Sequence, residues 1–377
     1  MQKGDMKLKF TLSLCLMLVI HPSSSAQDWP SLWKSYVAGF IDNQARVIDH
    51  DAGDRTTSEG QAYGMFFALV ANDRSHFDAF LRWTEQNLAG GDLSANLPSW
   101  LWGHSANNNQ WGLLDKNSAS DADIWMAYTL LSAGKAWNEP RYTKIGLALA
   151  RHIAAEEVIQ VPSLGTVVAP GPTGFQHGSS YRLNASYVPL QLILGLEQSI
   201  PDGPWGKVAA TVPIIVSDSA PHGFVSDWTE FKTGAGLQPV QTLGSYDAIR
   251  VYLWAGMLDN STKDRDVLLK ALAGMDSYLR TNAIPPAKVR PDGTVEDPKG
   301  PAGFSAALIP YAEALQDQQI KNQQISRVQS EVKTQTGLLG APPRYYDQNL
   351  ALFGLGFSQK QFRFGANGAL ELSWKAK

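Results

Sequence analysis

The chain has 377 residues, 44% hydrophobic and 18% charged, with 35 acidic against 32 basic residues and a formal charge of -3. That apolar share excludes a disordered chain of low hydrophobicity, and the near balance of charge leaves no basic footprint for nucleic acid. The length suits one large domain or two ordinary ones, and 12 Trp, 12 Tyr and 14 Phe supply either a large core or flat faces for stacking on sugar rings.

In chain order the first feature is a basic start at Lys3, Lys7 and Lys9, an apolar run from Phe10 to Ile20 and a small-residue stretch ending at Ala26. This pattern predicts a signal peptide over 1–26 and an exported protein, periplasmic or secreted. The apolar run is too short to span a bilayer, and no later run approaches the roughly eighteen apolar residues of a membrane helix, so no membrane span is expected. Cys15 falls inside this leader, which leaves the rest of the chain without cysteine. A large core can replace disulfides in an exported protein.

Beyond the leader a repeat emerges. Six segments open on small or polar residues and then run apolar: Ser58 to Met65, Ser120 to Tyr128, Asn184 to Leu190, Ser245 to Tyr252, Gly303 to Leu308 and Tyr346 to Leu352. Their anchors Glu59, Asp121, Asn184, Asp247, Ser305 and Asp347 recur roughly every sixty residues until a shorter last unit. Ser, Asp and Asn before an apolar run read as helix N-caps, and segments apolar on all sides read as buried helices. More amphipathic stretches alternate with them, at 29–42, 75–89, 141–158, 205–217, 264–280 and 317–332. Six inner and six outer helices close most economically as one toroid, an all-α (α/α)6 barrel over 27–377. The long linkers 43–57, 92–117, 160–182, 218–244 and 284–302 all precede inner helices, so they gather at one end and form a cleft. Short β-hairpins fit these loops, and Asp292-Gly293 within Val289 to Val295 is a hairpin turn signal.

The chain carries no phosphate-binding glycine loop, no dinucleotide fingerprint and no nucleophile elbow. Its histidines form no ligand pair, and Asp121-x-Asp123 alone is a weak metal signal, so neither metal nor cofactor is expected. Carboxylates at the cleft ends of inner helices remain: Glu59, Asp121, Asp123 and Asp247. Any one of them also suits the helix macrodipole without further purpose. Three at matching phases of the repeat suit glycoside hydrolysis, in which one carboxyl protonates the leaving oxygen and another activates water or attacks the sugar. A general acid at a helix N-terminus faces a dipole that lowers its pKa, so Glu59 needs burial and a like-charged neighbour such as Asp121. Arg250, three residues after Asp247 on the same helical face, would keep a base at Asp247 ionised.

At these residues the sequence resembles glycoside hydrolase family 8. The run Ala119 to Trp137, Ser58-Glu59-Gly60-Gln61 and Ser245-Tyr246-Asp247-Ala248-Ile249-Arg250 are similar to three motifs of that family, in order; Thr129 is a small departure, standing where the family has Ser or Ala. The resemblance covers essentially all of the chain after the leader and is strongest to the endo-β-1,4-glucanases encoded with bacterial cellulose synthase. It implies an (α/α)6 barrel and an inverting, metal-free hydrolysis of internal bonds in a β-1,4-glucan (cellulose) chain, with a functional link to a cellulose synthase complex. It further implies Glu59 as acid, Asp247 as base and Asp121 as the residue holding the distorted sugar. Tyr187 and Tyr246 would neighbour the attacking water, Arg250 would accompany the base, and Trp102 would be a glucose platform. Xylan, mixed-linkage glucan and chitosan are alternative substrates, and a non-catalytic glucan-binding export component is the alternative outside enzymes.

Overall fold

The computed structural model describes residues 28–234 and 238–375. The leader expected over 1–26, with Cys15, lies outside the described residues. Thirteen α-helices run through the described residues: α1 (Trp29–Phe40), α2 (Ser58–Val70), α3 (Arg74–Asn87), α4 (Ser120–Trp137), α5 (Pro140–Glu156), α6 (Leu190–Ser199), α7 (Trp205–Ser219), α8 (Ala248–Gly256), α9 (Arg265–Ala271), α10 (Ala273–Leu279), α11 (Ala302–Ala314), α12 (Gln318–Glu331) and α13 (Tyr345–Ser358). None is long and apolar enough to cross a membrane.

The inner ring runs α2, α4, α6, α8, α11, α13, each packed on the next. It closes where Phe353 of α13 meets Tyr63, Phe66 and Phe67 of α2, with ring centroids 5.0, 5.5 and 4.6 Å apart. The remaining helices form the outer ring, with α9 and α10 together filling one outer place. This is the (α/α)6 barrel. Its axis is filled by Trp125, Trp254 and Phe353, mutually 5.0–5.2 Å apart and mostly tilted or edge-on, the arrangement aromatic quadrupoles favour. The inner helices are buried on nearly all sides, which is why their sequences lack a polar face. Close helix approach demands glycine at Gly354, where a methyl group would overlap the Ala306 carbonyl oxygen of α11.

Inner helices return to outer ones through short turns at one end, as between α2 and α3 or α4 and α5. The long connections meet at the other end and carry small sheets. Strands β1 (Thr56–Thr57), β2 (Leu101–Ser105) and β3 (Gln110–Asp115) form one antiparallel sheet. Hairpin β4 (Val158–Val161) and β5 (Gly165–Val168) follows α5. Strands β6 (Gln176–His177), β7 (Ser180–Leu183), β8 (Thr229–Lys232) and β9 (Gln238–Gln241) join two neighbouring loops into one sheet. The Asp292-Gly293 turn links β10 (Lys288–Val289) to β11 (Val295–Asp297), with Gly293 at φ +87°. Strands β12 (Phe362–Phe364) and β13 (Leu370–Leu372) cap the opposite end of the barrel, where Phe362 packs on Phe66.

Three expectations need correction. The third inner helix starts at Leu190, because Pro189 follows an isolated turn at Ala185–Tyr187 that Asn184 caps. The outer helix expected over 264–280 breaks at Leu272, where Gly274 lies against the backbone of His222 and Gly223. The polar residues opening the inner helices are not their caps. Ser58 and Ser120 already stand inside the helices, and no side chain caps α4, α6, α8, α11 or α13 from its own N-cap position. The outer helices α1, α3, α5 and α12 are capped conventionally, by Asp28, Asp73, Glu139 and Asp317, whereas α7, α9 and α10 carry no side-chain cap. The inner N-termini thus point their positive dipole ends at the cleft.

Candidate active site

Glu59 reaches the cleft because its helix start is fixed from two sides. The Thr57 hydroxyl accepts from the Gly60 amide at 3.1 Å, and the Ser58 amide donates to the Trp100 carbonyl at 2.9 Å, continuing the pairing of β1 with β2. Asp121 occupies the first turn of α4, where one carboxylate oxygen accepts from the Ala122 amide at 2.9 Å. Asp247 is the N-cap residue of α8 but makes no capping bond with its own side chain.

All three carboxylates meet on Arg250. Its Nη1 donates to Glu59 Oε2, to Asp121 Oδ2 at 2.8 Å and to the Tyr63 hydroxyl at 3.2 Å, while Nη2 donates to Asp247 Oδ1 at 2.7 Å. With 2% exposure, Arg250 cannot be an ordinary surface ion-pair partner. One buried cation against three carboxyls, Asp121 buried and Glu59 and Asp247 partly so, leaves an excess of negative charge in a poorly solvated place. That excess favours a proton on one of the carboxyls. Burial is the largest cause lifting Glu59, Arg250 opposes it, and the charges of Asp121 and Asp247 push it up again, to about 7. Burial also raises Asp121 above the usual carboxylate range. The site therefore contains a carboxyl able to carry a proton near neutrality, despite the helix dipole behind it.

These groups line a cleft of about 480 Å³, together with Trp100, Arg55, Tyr187, Tyr246, Tyr345 and Tyr346. The Tyr187 ring lies under the guanidinium, 5.6 Å from centroid to Cζ. Tyr246 is 41% exposed, packs against Phe304 and Tyr346, and its carbonyl accepts from the Tyr346 hydroxyl at 2.6 Å. Glu59, Asp121, Asp247, Arg250, Tyr187 and Tyr246 are thus brought together. Trp102 stands outside this cleft, stacked on Trp111 at 5.2 Å, edge-on to Trp83 and beneath the Arg46 guanidinium.

Asp227 was not among the residues singled out from the sequence. Its Oδ1 accepts from the backbone amides of Ser245, Asp247 and Ala248 at 2.7, 3.1 and 2.8 Å. It caps α8 from a neighbouring loop, which leaves the Asp247 carboxylate free to face Arg250. No local pattern reveals this, since Asp227 lies in an irregular loop eighteen residues before the first amide it binds. Tyr346 had a signal, because it opens the sixth repeat unit just before the anchor Asp347, as Tyr246 stands just before Asp247.

The chain matches the family described as "Glycosyl hydrolases family 8" over residues 6–360. It belongs to glycosyl hydrolase family 8. Among similar proteins, the endoglucanase of Escherichia coli (strain K12) is 41% identical over 363 residues, 95% of either chain. The endoglucanase of Xanthomonas axonopodis pv. citri (strain 306) is 41% identical over 355 residues, 93% of this chain and 91% of that one. The crystal structure of an endo-1,4-D-glucanase from Vibrio fischeri ES114 superposes with TM-score 0.85 at 38% identity, covering 91% of this chain and 99% of that one. As a family 8 member the protein is a glycoside hydrolase.

Proposed function

We propose that this family 8 hydrolase cleaves internal β-1,4-glucosidic bonds of a cellulose-type glucan by single displacement with inversion. The observation carrying this reading is the Arg250 hub, which holds three carboxyls at one cleft while burial and like charge lift Glu59 to about 7. Glu59 protonates the departing glycosidic oxygen. Asp247 takes a proton from water as that water attacks C1 from the opposite face, so the anomeric configuration inverts. Asp121 accepts a hydroxyl of the sugar at the cleavage point, and Tyr187 and Tyr246 bound the space left for water. Trp102 extends the sugar path as a stacking face beyond the cleft. The names of the Escherichia coli, Xanthomonas and Vibrio relatives support a glucan substrate.

The basic, apolar and small-residue pattern of residues 1–26 supports export to the periplasm or beyond. Resemblance to glucanases encoded with cellulose synthase supports a role beside cellulose synthesis. The direct test is release of reducing ends from carboxymethylcellulose by the wild type and by Glu59→Gln. The wild type should cut the polymer and shorten it rapidly, while Glu59→Gln should be inactive yet still bind glucan. A wild type inert on this polymer but active on xylan would overturn the substrate, and an active Glu59→Gln would overturn the acid.

A further inference from the structure

Two residues beyond Asp121, a second carboxyl cluster lies in the protein interior. Asp123 in the first turn of α4 and Glu157 just past α5 are both fully buried, with their carboxyls side by side. The Ser118 hydroxyl donates to Glu157 Oε1 at 2.6 Å. Glu157 Oε2 and both oxygens of Asp123 have no donor within hydrogen-bond geometry among the described residues, and the one hydroxyl beside both carboxyls, that of Ser118, is committed to Glu157 Oε1. Two carboxylates only accept, so adjacent buried carboxyls can bond each other only with a proton on at least one. No cation offsets the cluster among the groups acting most strongly on it. Its charged neighbours are Asp121 on α4 and Glu156 on α5, both acidic.

The cluster sits where the cleft loop after α5 meets the start of α4. The Glu157 carbonyl accepts from Ala169 at 2.8 Å across the β4–β5 hairpin, and the Ser120 amide donates to the Pro170 carbonyl at 3.0 Å. Residues 118–121 are thereby held between the carboxyl pair and the returning loop.

We propose that Asp123 and Glu157 form a proton-sharing carboxyl pair that positions Asp121 by pinning the first turn of α4 to the end of α5. The inference rests on the reading of Asp121 as a sugar-holding residue. A pair that holds a proton suits the place, because it carries less negative charge than two carboxylates, and each further negative charge beside Asp121 would compete for the single guanidinium of Arg250. Burial is the main cause pushing both groups upward, Glu157 to about 8.

The test compares wild type, Glu157→Gln and Glu157→Leu in the full chain, by kcat and KM on carboxymethylcellulose and by urea unfolding between about pH 6 and pH 9. The folded pair keeps a proton that the unfolded chain releases near the ordinary carboxylate range. Its stabilisation is therefore complete below that range and lost as pH rises through about 8. The wild type should lose stability across the interval. Glu157→Gln, which carries its own amide hydrogens, should show a flatter loss and keep kcat within about threefold at acid pH. Glu157→Leu leaves Asp123 buried without a partner, and kcat should fall about tenfold or more with KM changed less. Equal slopes for wild type and Glu157→Gln would overturn the shared proton, and an unchanged kcat in Glu157→Leu would overturn the positioning role. If Glu157→Leu does not fold, the Glu157→Gln slope still decides. The unfolding comparison needs no turnover, so its failure is distinct from failure of the glucanase reading.

Discussion

Arg250 is the residue on which the site's electrostatics turn. Its removal exposes three carboxyls to one another without a counter-charge, so Arg250→Met should lower stability by about 3–5 kcal/mol near neutral pH, read by urea unfolding. The loss should shrink in acid, where protonated carboxyls no longer repel. Turnover should fall by about 100-fold or more, as when a preorganised donor is lost. For Glu59 the sign of the pH effect is fixed by its raised value. With Glu59 as the proposed acid its protonated form does the work, so kcat/KM should decline as pH rises through about 7. The same raised value means that Glu59 adds stability only at acid pH, below the ordinary carboxylate range, and that this is lost as pH climbs to about 7. Asp121 is one cause of the elevation, so in Asp121→Asn the alkaline limb of the residual activity should move to lower pH. An unmoved limb would show that the limb belongs to another group. At Asp227 an amide oxygen can still accept three amides, so Asp227→Asn should retain kcat within about threefold. Asp227→Ala should lose about tenfold or more with KM little changed, checked by steady-state kinetics.

At the scale of elements, barrel closure depends on how closely the inner helices approach. Gly354→Ala forces a methyl group onto the Ala306 carbonyl of α11, where backbone rather than a flexible side chain must give way. The expected cost is about 2–3 kcal/mol with helix content unchanged, measured by denaturant unfolding and circular dichroism. The alternation of inner and outer helices was legible because burial on all sides and burial on one side leave different periodicities, as in Ala302–Ala314 against Gln318–Glu331. Helix starts were less legible. Asn184 has the chemistry of a cap and does cap a turn, yet Pro189 delays the helix to Leu190. Glu59, Asp121 and Asp247 were legible because they recur with the repeat. Arg250 was legible only as a neighbour of Asp247; its grip on Glu59 and Asp121 joins positions 191 and 129 residues apart, which no local spacing encodes. Asp227 and the Asp123–Glu157 contact were hidden for the same reason.

Across the whole molecule, connection length separates function from packing. The short inner-to-outer turns leave one end of the barrel to the β12–β13 cap, and the long connections build the cleft at the end where the inner-helix dipoles point. The aromatics divide along the same line: Trp125, Trp254 and Phe353 fill the axis, Trp100 lines the cleft, and Trp111 is 49% exposed on β3. The low charge noted at the outset fits a neutral polymer, while the charge that matters is concentrated on Arg250 and its three carboxyls. The central claim is that Glu59 and Asp247 act from opposite faces of the sugar in one displacement. Proton NMR of the first reducing ends released from a β-1,4-glucan oligosaccharide tests it most directly. The account predicts that the α-anomer appears first and then mutarotates; initial appearance of the β-anomer would contradict it.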